Sequence, residues 1–101
     1  RVLFRSNLFL ARVIAERIDN DPQRAGLQKA RAVCKHWAEI GGGPVVFEWM
    51  NILLNSWEEV RKVLLDPGEE GNRLRQSSPF CGILTPRERW EYFKRFENEA
   101  A

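Results

Sequence analysis

The sequence contains few residues with the chemistry of a nucleophile, a base or a soft metal ligand. There are two cysteines, Cys34 and Cys81, and a single histidine, His36. A catalytic cysteine needs a neighbouring base that helps to form the thiolate. Cys34 and His36 are two positions apart in a helical pattern, and side chains at that spacing point to different sides of a helix. We therefore predict that Cys34 is a core residue, that His36 is solvated, and that the chain is not an enzyme.

The same side chains are too few for a metal centre, because structural zinc takes four ligands and nothing else in the sequence has ligand spacing. The paired carboxylates Glu58–Glu59 and Glu69–Glu70 stand in first turns of predicted helices, where they stabilise the positive end of the helix dipole. The run Gly41–Pro44 resembles an anion-binding loop, but no strand precedes it and no Lys-Ser/Thr pair follows. We interpret that run as a hinge between two helices, and we predict no metal, cofactor or small-molecule ligand.

The elements that would position any site are helices with well-marked ends. Helix starts are indicated where Asp21, Ser56, Asp66 and Thr85 precede proline or acidic residues. Glycine and proline mark helix ends at Gly41–Pro44 and before Pro79. Between these marks the apolar residues recur with helical period. The pattern predicts a first helix that starts near Ser6 or Asn7 or earlier in the chain. Further helices are predicted over Pro22–Ile40, over Pro44–Leu54, after Ser56, over 67–76 and after Thr85.

No stretch alternates convincingly with the period of a strand, so we predict an all-α fold. Its form would be one compact bundle of five to six helices over residues 1–101. The chain begins with Arg1 rather than methionine, so we treat it as a possible fragment of a longer protein. Within the bundle, the periodicity places one set of residues in the core. These are Phe4, Leu8, Leu10, Ala11, Ile14, Ala15, Ile18, Leu27, Ala30, Val33, Cys34, Trp37, Val46, Phe47, Met50, Leu53, Leu54, Trp57, Val60, Val63, Leu64, Leu74, Trp90, Phe93 and Phe96.

Composition agrees with a folded domain and excludes several classes. The chain has 101 residues, of which 44% are apolar and 30% charged, so it can bury a core and is not disordered by composition. A net charge of +2 is too small to indicate polyanion binding by itself. Two isolated cysteines do not make a disulfide framework, and we predict reduced, partly buried thiols in a cytoplasmic protein. No apolar run approaches the length of a membrane span, so we expect no membrane partner.

A basic helix face offers one binding hypothesis. The segment Pro22–Ala38 carries Arg24, Lys29, Arg31 and Lys35 and no acidic residue. A basic face of this kind can follow nucleic-acid phosphates. It is equally the polar face that any amphipathic helix needs. Nucleic-acid binding by these four residues is therefore our alternative hypothesis.

The leading hypothesis is a contact with another protein, or with a second copy of the chain as a homodimer. Tryptophan and arginine are the side chains that most often anchor protein interfaces. Trp49 lies off the apolar stripe of its helix, so we predict that it is exposed. The segment SSPFCGILTP is apolar enough to pack on the core or to dock a partner, with Pro79 and Gly82 shaping its turns. The predicted partner-binding residues are Trp49, Arg73, Arg75 and Phe80.

The stretch RLRQSSPFCGILTPRERW, together with ARVIAERI, QKARAVCKHW and FEWMNILLNSWEEV, resembles a helical region of small uncharacterised bacterial proteins. These are antitoxin-like or regulatory proteins, and the resemblance covers most of residues 6–96. It implies a non-enzymatic protein that contacts another macromolecule, with the option of a DNA-binding portion before Arg1. It carries over no catalytic residues.

Overall fold

Six helices make up the computed structural model, which describes the backbone of residues 2–100 and the side chains of residues 7–98. They are α1 (Val2–Asp19), α2 (Ala25–Glu39), α3 (Pro44–Ile52), α4 (Trp57–Leu64), α5 (Glu69–Arg75) and α6 (Pro86–Ala100). The described residues contain no strand and form a single all-α domain, so the predicted fold class is confirmed. The Cα radius of gyration is 13.4 Å, close to the value of about 13 Å for a compact domain of this length. The side chains of Phe4 and Ser6 lie outside the described part.

Two helix starts follow the sequence prediction closely. At α4, the Ser56 hydroxyl accepts a hydrogen bond from the Glu59 amide at 3.4 Å. At α6, the Thr85 hydroxyl accepts from the Glu88 amide at 3.1 Å, and the Glu88 carboxylate accepts from the Thr85 amide at 2.9 Å. This reciprocal pair is a complete capping box. The predicted starts after Ser56 and at Thr85 are confirmed.

The starts predicted at Asp21 and Asp66 are each a few residues too early. The Asp21 carboxylate accepts from the amides of Gln23 and Ala25, at 3.0 and 2.8 Å, so α2 begins only at Ala25. Asp66 accepts from the Gly68 amide at 2.9 Å, and α5 begins at Glu69. In both cases the carboxylate stabilises a turn that competes with the helix. The prolines after Asp21 and Asp66 therefore lie in turns rather than in first helical turns.

The end of α2 is a Schellman motif. The Gly42 amide donates to the Trp37 carbonyl at 2.8 Å, and the Gly41 amide donates to the Ala38 carbonyl at 3.3 Å. Gly41 has φ of 92°, the left-handed conformation that glycine adopts at low cost. The predicted stop at this glycine run is confirmed, and the two hydrogen bonds fix the connection into α3.

The core lies where α1 packs against α2, α4, α5 and α6, with α3 held between α2 and α4. The loop between α5 and α6 closes over this core, and its residues Pro79, Phe80 and Leu84 are buried. Its predicted packing is thereby confirmed. The buried apolar residues are Leu10, Ala11, Ile14, Ala15, Ile18, Leu27, Ala30, Cys34, Trp49, Leu53, Trp57, Val60, Leu64, Leu74, Phe80 and Leu84.

A charged contact fastens α6 to α1 and makes stability depend on pH. Arg17 donates to Glu88 at 2.8 Å, and this bond, with the Thr85 amide, lowers the pKa of Glu88 to about 2 from 4.5. A carboxylate with a lowered folded-state pKa stabilises the fold above its ordinary pKa and loses that contribution as the pH falls.

We expect the substitution Glu88→Gln to remove part of this acid sensitivity while keeping a capping side chain. Wild type should be more stable than the variant above pH 4.5, and the difference should shrink as the pH falls to about 2. Urea unfolding of both proteins at a series of pH values from neutral to about 2 measures this difference in the free energy of unfolding. A difference that stays constant with pH would contradict the assignment, because all other titrating groups are common to both proteins.

Candidate interaction surface

Two of the predicted partner-binding residues, Trp49 and Phe80, are completely buried, with 0% exposure each. The indole N–H of Trp49 donates to the Leu74 carbonyl at 2.9 Å, and its ring packs edge-on against Phe80 at 6.0 Å. The prediction that Trp49 is exposed is wrong. Because α3 contacts α2 and α4 on different sides, a single apolar stripe does not describe its buried surface.

Arg75, the third of these residues, is also buried, with 6% exposure. Its guanidinium donates to the carbonyls of Leu64 and Asp66 at 3.0 and 2.6 Å. Desolvation lowers the pKa of Arg75 from its ordinary value. The expectation of an exposed anchor is therefore wrong here too, since this side chain stabilises the C-terminal end of α4.

Arg73 is the one member of the predicted set at the surface. It donates to both carboxylate oxygens of Glu48, at 2.9 and 3.0 Å, and to Glu70 at 2.7 Å. These carboxylates raise the pKa of Arg73 far above its ordinary range. Its charge is thus compensated within the fold, and it links α3 to α5.

The basic residues proposed for nucleic-acid binding are largely engaged with main-chain carbonyls. Arg24 donates to Ile18 and Asp19 at 2.9 Å each, at the end of α1. Arg31 donates to the Leu53 carbonyl at 2.9 Å, just beyond α3.

The other two basic residues differ from each other. Lys29 donates to the Gly82 carbonyl at 3.0 Å, which ties α2 to the loop before α6. Among the described side chains, Lys35 alone of the four makes no hydrogen bond or ion pair within the chain, and it is exposed. Cations at carbonyls that end helices stabilise those ends, as Arg24 does at α1 and Arg31 does beyond α3. Lys29 instead ties α2 to a loop, so all three have a structural contact within the fold.

Cys34 and His36 have the environments that the sequence predicted, whereas Cys81 does not. Cys34 has 1% exposure, and desolvation raises its pKa, while His36 is exposed. Both predictions are confirmed. Cys81 is exposed rather than partly buried, and both cysteines are free. Within the described residues no three His, Cys, Asp or Glu side chains come together as a metal-binding group.

Trp90, predicted to lead the core face of α6, is 62% exposed, and that prediction is wrong. The side of α6 that meets α1 carries Tyr92 and Phe96, whose rings lie 6.3 and 5.3 Å from that of Phe9. Trp90 is two positions before Tyr92, a rotation of about 200° around the helix. It therefore faces away from α1.

Two of the residues that the sequence assigned to the core on α3 and the turn after it face solvent instead. Phe47 is 52% and Leu54 83% exposed, and Met50 is half-buried between them along the helix. Leu54 lies in the turn after α3, where its amide donates to the Asn51 carbonyl at 3.2 Å. The expectation that Phe47 and Leu54 are core residues is wrong, because Trp49 and Leu53 fill the interior.

Beside this stripe runs a groove between α2 and α3 with a volume of about 450 Å³. Its lining combines apolar and basic side chains: Arg31, Cys34, Lys35, Met50, Leu53 and Leu54. We call the stripe and this groove together the α2–α3 surface, defined by Arg31, Lys35, Phe47, Met50 and Leu54. The sequence analysis missed this surface, although the acid-free segment Pro22–Ala38 next to an apolar helix was a usable signal.

The described helices include none with the length and apolar character to cross a bilayer. Comparisons of the chain with protein-family models, curated proteins and solved structures find no match. The fold and surface therefore define the chain only as an all-α helical domain with an exposed apolar and basic surface.

Proposed function

We propose that this chain is a non-enzymatic protein-interaction domain that binds a partner protein through the α2–α3 surface. The observation that carries the proposal is the exposure of Phe47 and Leu54, two large apolar side chains, one on α3 and one in the turn that follows it. Exposed apolar surface of this kind is typical of protein contacts. Fully burying such a side chain contributes about 1.5–3 kcal/mol, so a partner that covers both would gain appreciable affinity.

The distribution of exposed apolar residues supports the choice of this surface. Four large apolar side chains in the described part are exposed: Ile40, Phe47, Leu54 and Trp90. Three of them belong to the end of α2 or to α3 and the turn after it, and only Trp90 lies on another element. The predicted residue Trp49 instead supports α3 from the core, where its ring packs against Phe80.

Nucleic-acid binding remains an alternative prediction with less support. Arg24, Lys29 and Arg31 bind carbonyls of the chain itself, which leaves Lys35 as the only one of the four without such a contact among the described residues. Phosphate contacts by several cations are what give nucleic-acid binding its affinity.

A position-specific photo-crosslink in cells of the source organism tests the proposal. A photoreactive amino acid at Leu54 should give one protein adduct of defined mass, unaffected by nuclease. The same residue at Gln76, which is exposed at the end of α5, is the matched control and should give none. No adduct at position 54, equal adducts at both positions, or an adduct destroyed by nuclease would overturn the proposal.

The adduct would also test the antitoxin-like or regulatory role that the resemblance implies. Mass spectrometry of the crosslinked species identifies the protein bound at position 54. A toxin or a regulatory protein in the adduct would support that role. Any other partner would support the interaction function and argue against an antitoxin-like or regulatory role.

A further inference from the structure

We propose that the occupant of the α2–α3 surface is an amphipathic helix of the partner protein whose polar side is acidic. The inference rests on the proposed function and adds the chemistry of the partner. It is carried by two features of the described residues: the exposed apolar stripe along the groove, and the two cations in the groove lining, which contains no acidic residue.

Phe47 and Met50 lie on α3, and Leu54 lies in the turn that follows it, where its amide still donates to the Asn51 carbonyl. The stripe therefore extends over about two turns, roughly 10 Å. A partner helix with apolar residues at positions i, i+3, i+4 and i+7 presents a stripe of the same length. The groove beside Met50 and Leu54 offers about 450 Å³ for those side chains.

The cations stand on the α2 side of the groove. Arg31 and Lys35 are four residues apart, so both project from one side of α2 at a separation of about one helical turn. Arg31 uses Nε and Nη2 for the carbonyls of Leu53 and Asn55, at 2.9 and 3.4 Å, which fixes its guanidinium at the rim. Lys35 is exposed. A carboxylate pair at i and i+4 on the partner helix matches this spacing.

The surroundings contain little acid that would compete for these cations. The segment Pro22–Ala38 has no acidic residue, and the one carboxylate of α3, Glu48, is bound by Arg73. Glu39 is exposed at the end of α2. The surface is thus apolar and positive, and an acidic partner complements it in charge.

A second copy of the chain fits less well. In a two-fold symmetric contact through this surface, both copies would bury the same patch, so the interface would contain Arg31 and Lys35 of each copy. Four cations would then share one interface whose groove lining has no acidic residue. Like charges brought together across an interface oppose association.

The test uses two synthetic helical peptides of about 20 residues, long enough to be helical in isolation. Both carry leucine at i, i+3, i+4 and i+7, and their polar sides carry glutamate in one and lysine in the other. Fluorescence anisotropy should show the acidic peptide binding about tenfold or more tightly than the basic one. Leu54→Asp should weaken that binding by about tenfold, as expected for a central apolar contact.

Charge reversal supplies the second arm. Lys35→Glu should weaken binding of the acidic peptide several-fold and strengthen binding of the basic peptide. A merely structural effect would not reverse the preference in this way. The matched controls are Trp90→Asp for an exposed apolar side chain and Lys94→Glu for an exposed cation, both on α6, and neither should change binding. Circular dichroism checks that every variant is folded.

Equal binding of the two peptides, or no effect of Leu54→Asp, would overturn the inference. So would a shift to a dimer in sedimentation that Leu54→Asp abolishes, or tighter binding to duplex DNA or to anionic phosphatidylserine vesicles than to the acidic peptide. A protein crosslink at position 54 combined with any of these peptide results would leave the interaction function standing and refute only the acidic helix. Absence of that crosslink would refute the interaction function itself.

Discussion

Replacing Trp49 by alanine is expected to lower the free energy of unfolding by about 3–5 kcal/mol, the usual cost of truncating a buried aromatic side chain. The indole is fully buried, packs edge-on against Phe80 and donates to the Leu74 carbonyl. Since a domain of this size has a total stability of about 5–15 kcal/mol, the variant should be close to unfolding. Urea unfolding followed by circular dichroism measures the change.

The matched control is Trp90→Ala, which removes an equally large ring from an exposed site. It should change stability by less than about 0.5 kcal/mol. The variant Trp49→Phe separates packing from the hydrogen bond, because it keeps an aromatic ring and leaves the Leu74 carbonyl without this donor. Equal losses for Trp49→Ala and Trp90→Ala would contradict the buried position of Trp49.

Replacing Arg75 by alanine is expected to cost about 2–4 kcal/mol, although arginine is ordinarily a surface residue. Two carbonyls, those of Leu64 and Asp66, would lose a charged donor in the interior, where an unsatisfied polar group is costly. Thermal and urea unfolding at neutral pH measure the loss.

Two further variants decide the cause of that loss. Arg75→Met keeps most of the apolar stem and removes the donors, so it should remain clearly destabilised if the hydrogen bonds matter. Arg12→Ala, at an exposed position of α1, is the control and should have little effect. Wild-type stability in Arg75→Met would contradict the hydrogen-bonding role and leave only packing.

Features set by near neighbours in the chain were the most predictable part of the fold. The capping box at Thr85 and Glu88 is closed by atoms three residues apart, and the Schellman motif at Gly41 and Gly42 is closed within five. Hydrogen bonds of this kind can be predicted from the sequence, because donor and acceptor lie within a few residues of each other. The errors at Asp21 and Asp66 arose where one carboxylate can stabilise either a helix start or a turn.

The candidate site was not predictable in the same way. The apolar pattern of α3 runs around most of the helix, so it indicated burial without indicating which side is buried. The structure buries Trp49 together with Leu53 and leaves Phe47 and Leu54 exposed, so of these four residues only Leu53 agrees with the assignment from periodicity. The groove beside them exists only because α2 and α3 pack together.

The sequence alone determined that this chain is an all-α domain, where α3, α4 and α6 begin and α2 ends, and that Cys34 and His36 do not face each other. Only the tertiary structure decided which aromatic and basic side chains reach solvent. Arg31 donates to the Leu53 carbonyl, 22 residues away in the sequence, and Trp49 donates to the Leu74 carbonyl, 25 residues away. Contacts over such separations depend on how the helices pack, and that packing optimises the burial of the whole core rather than any one local pattern.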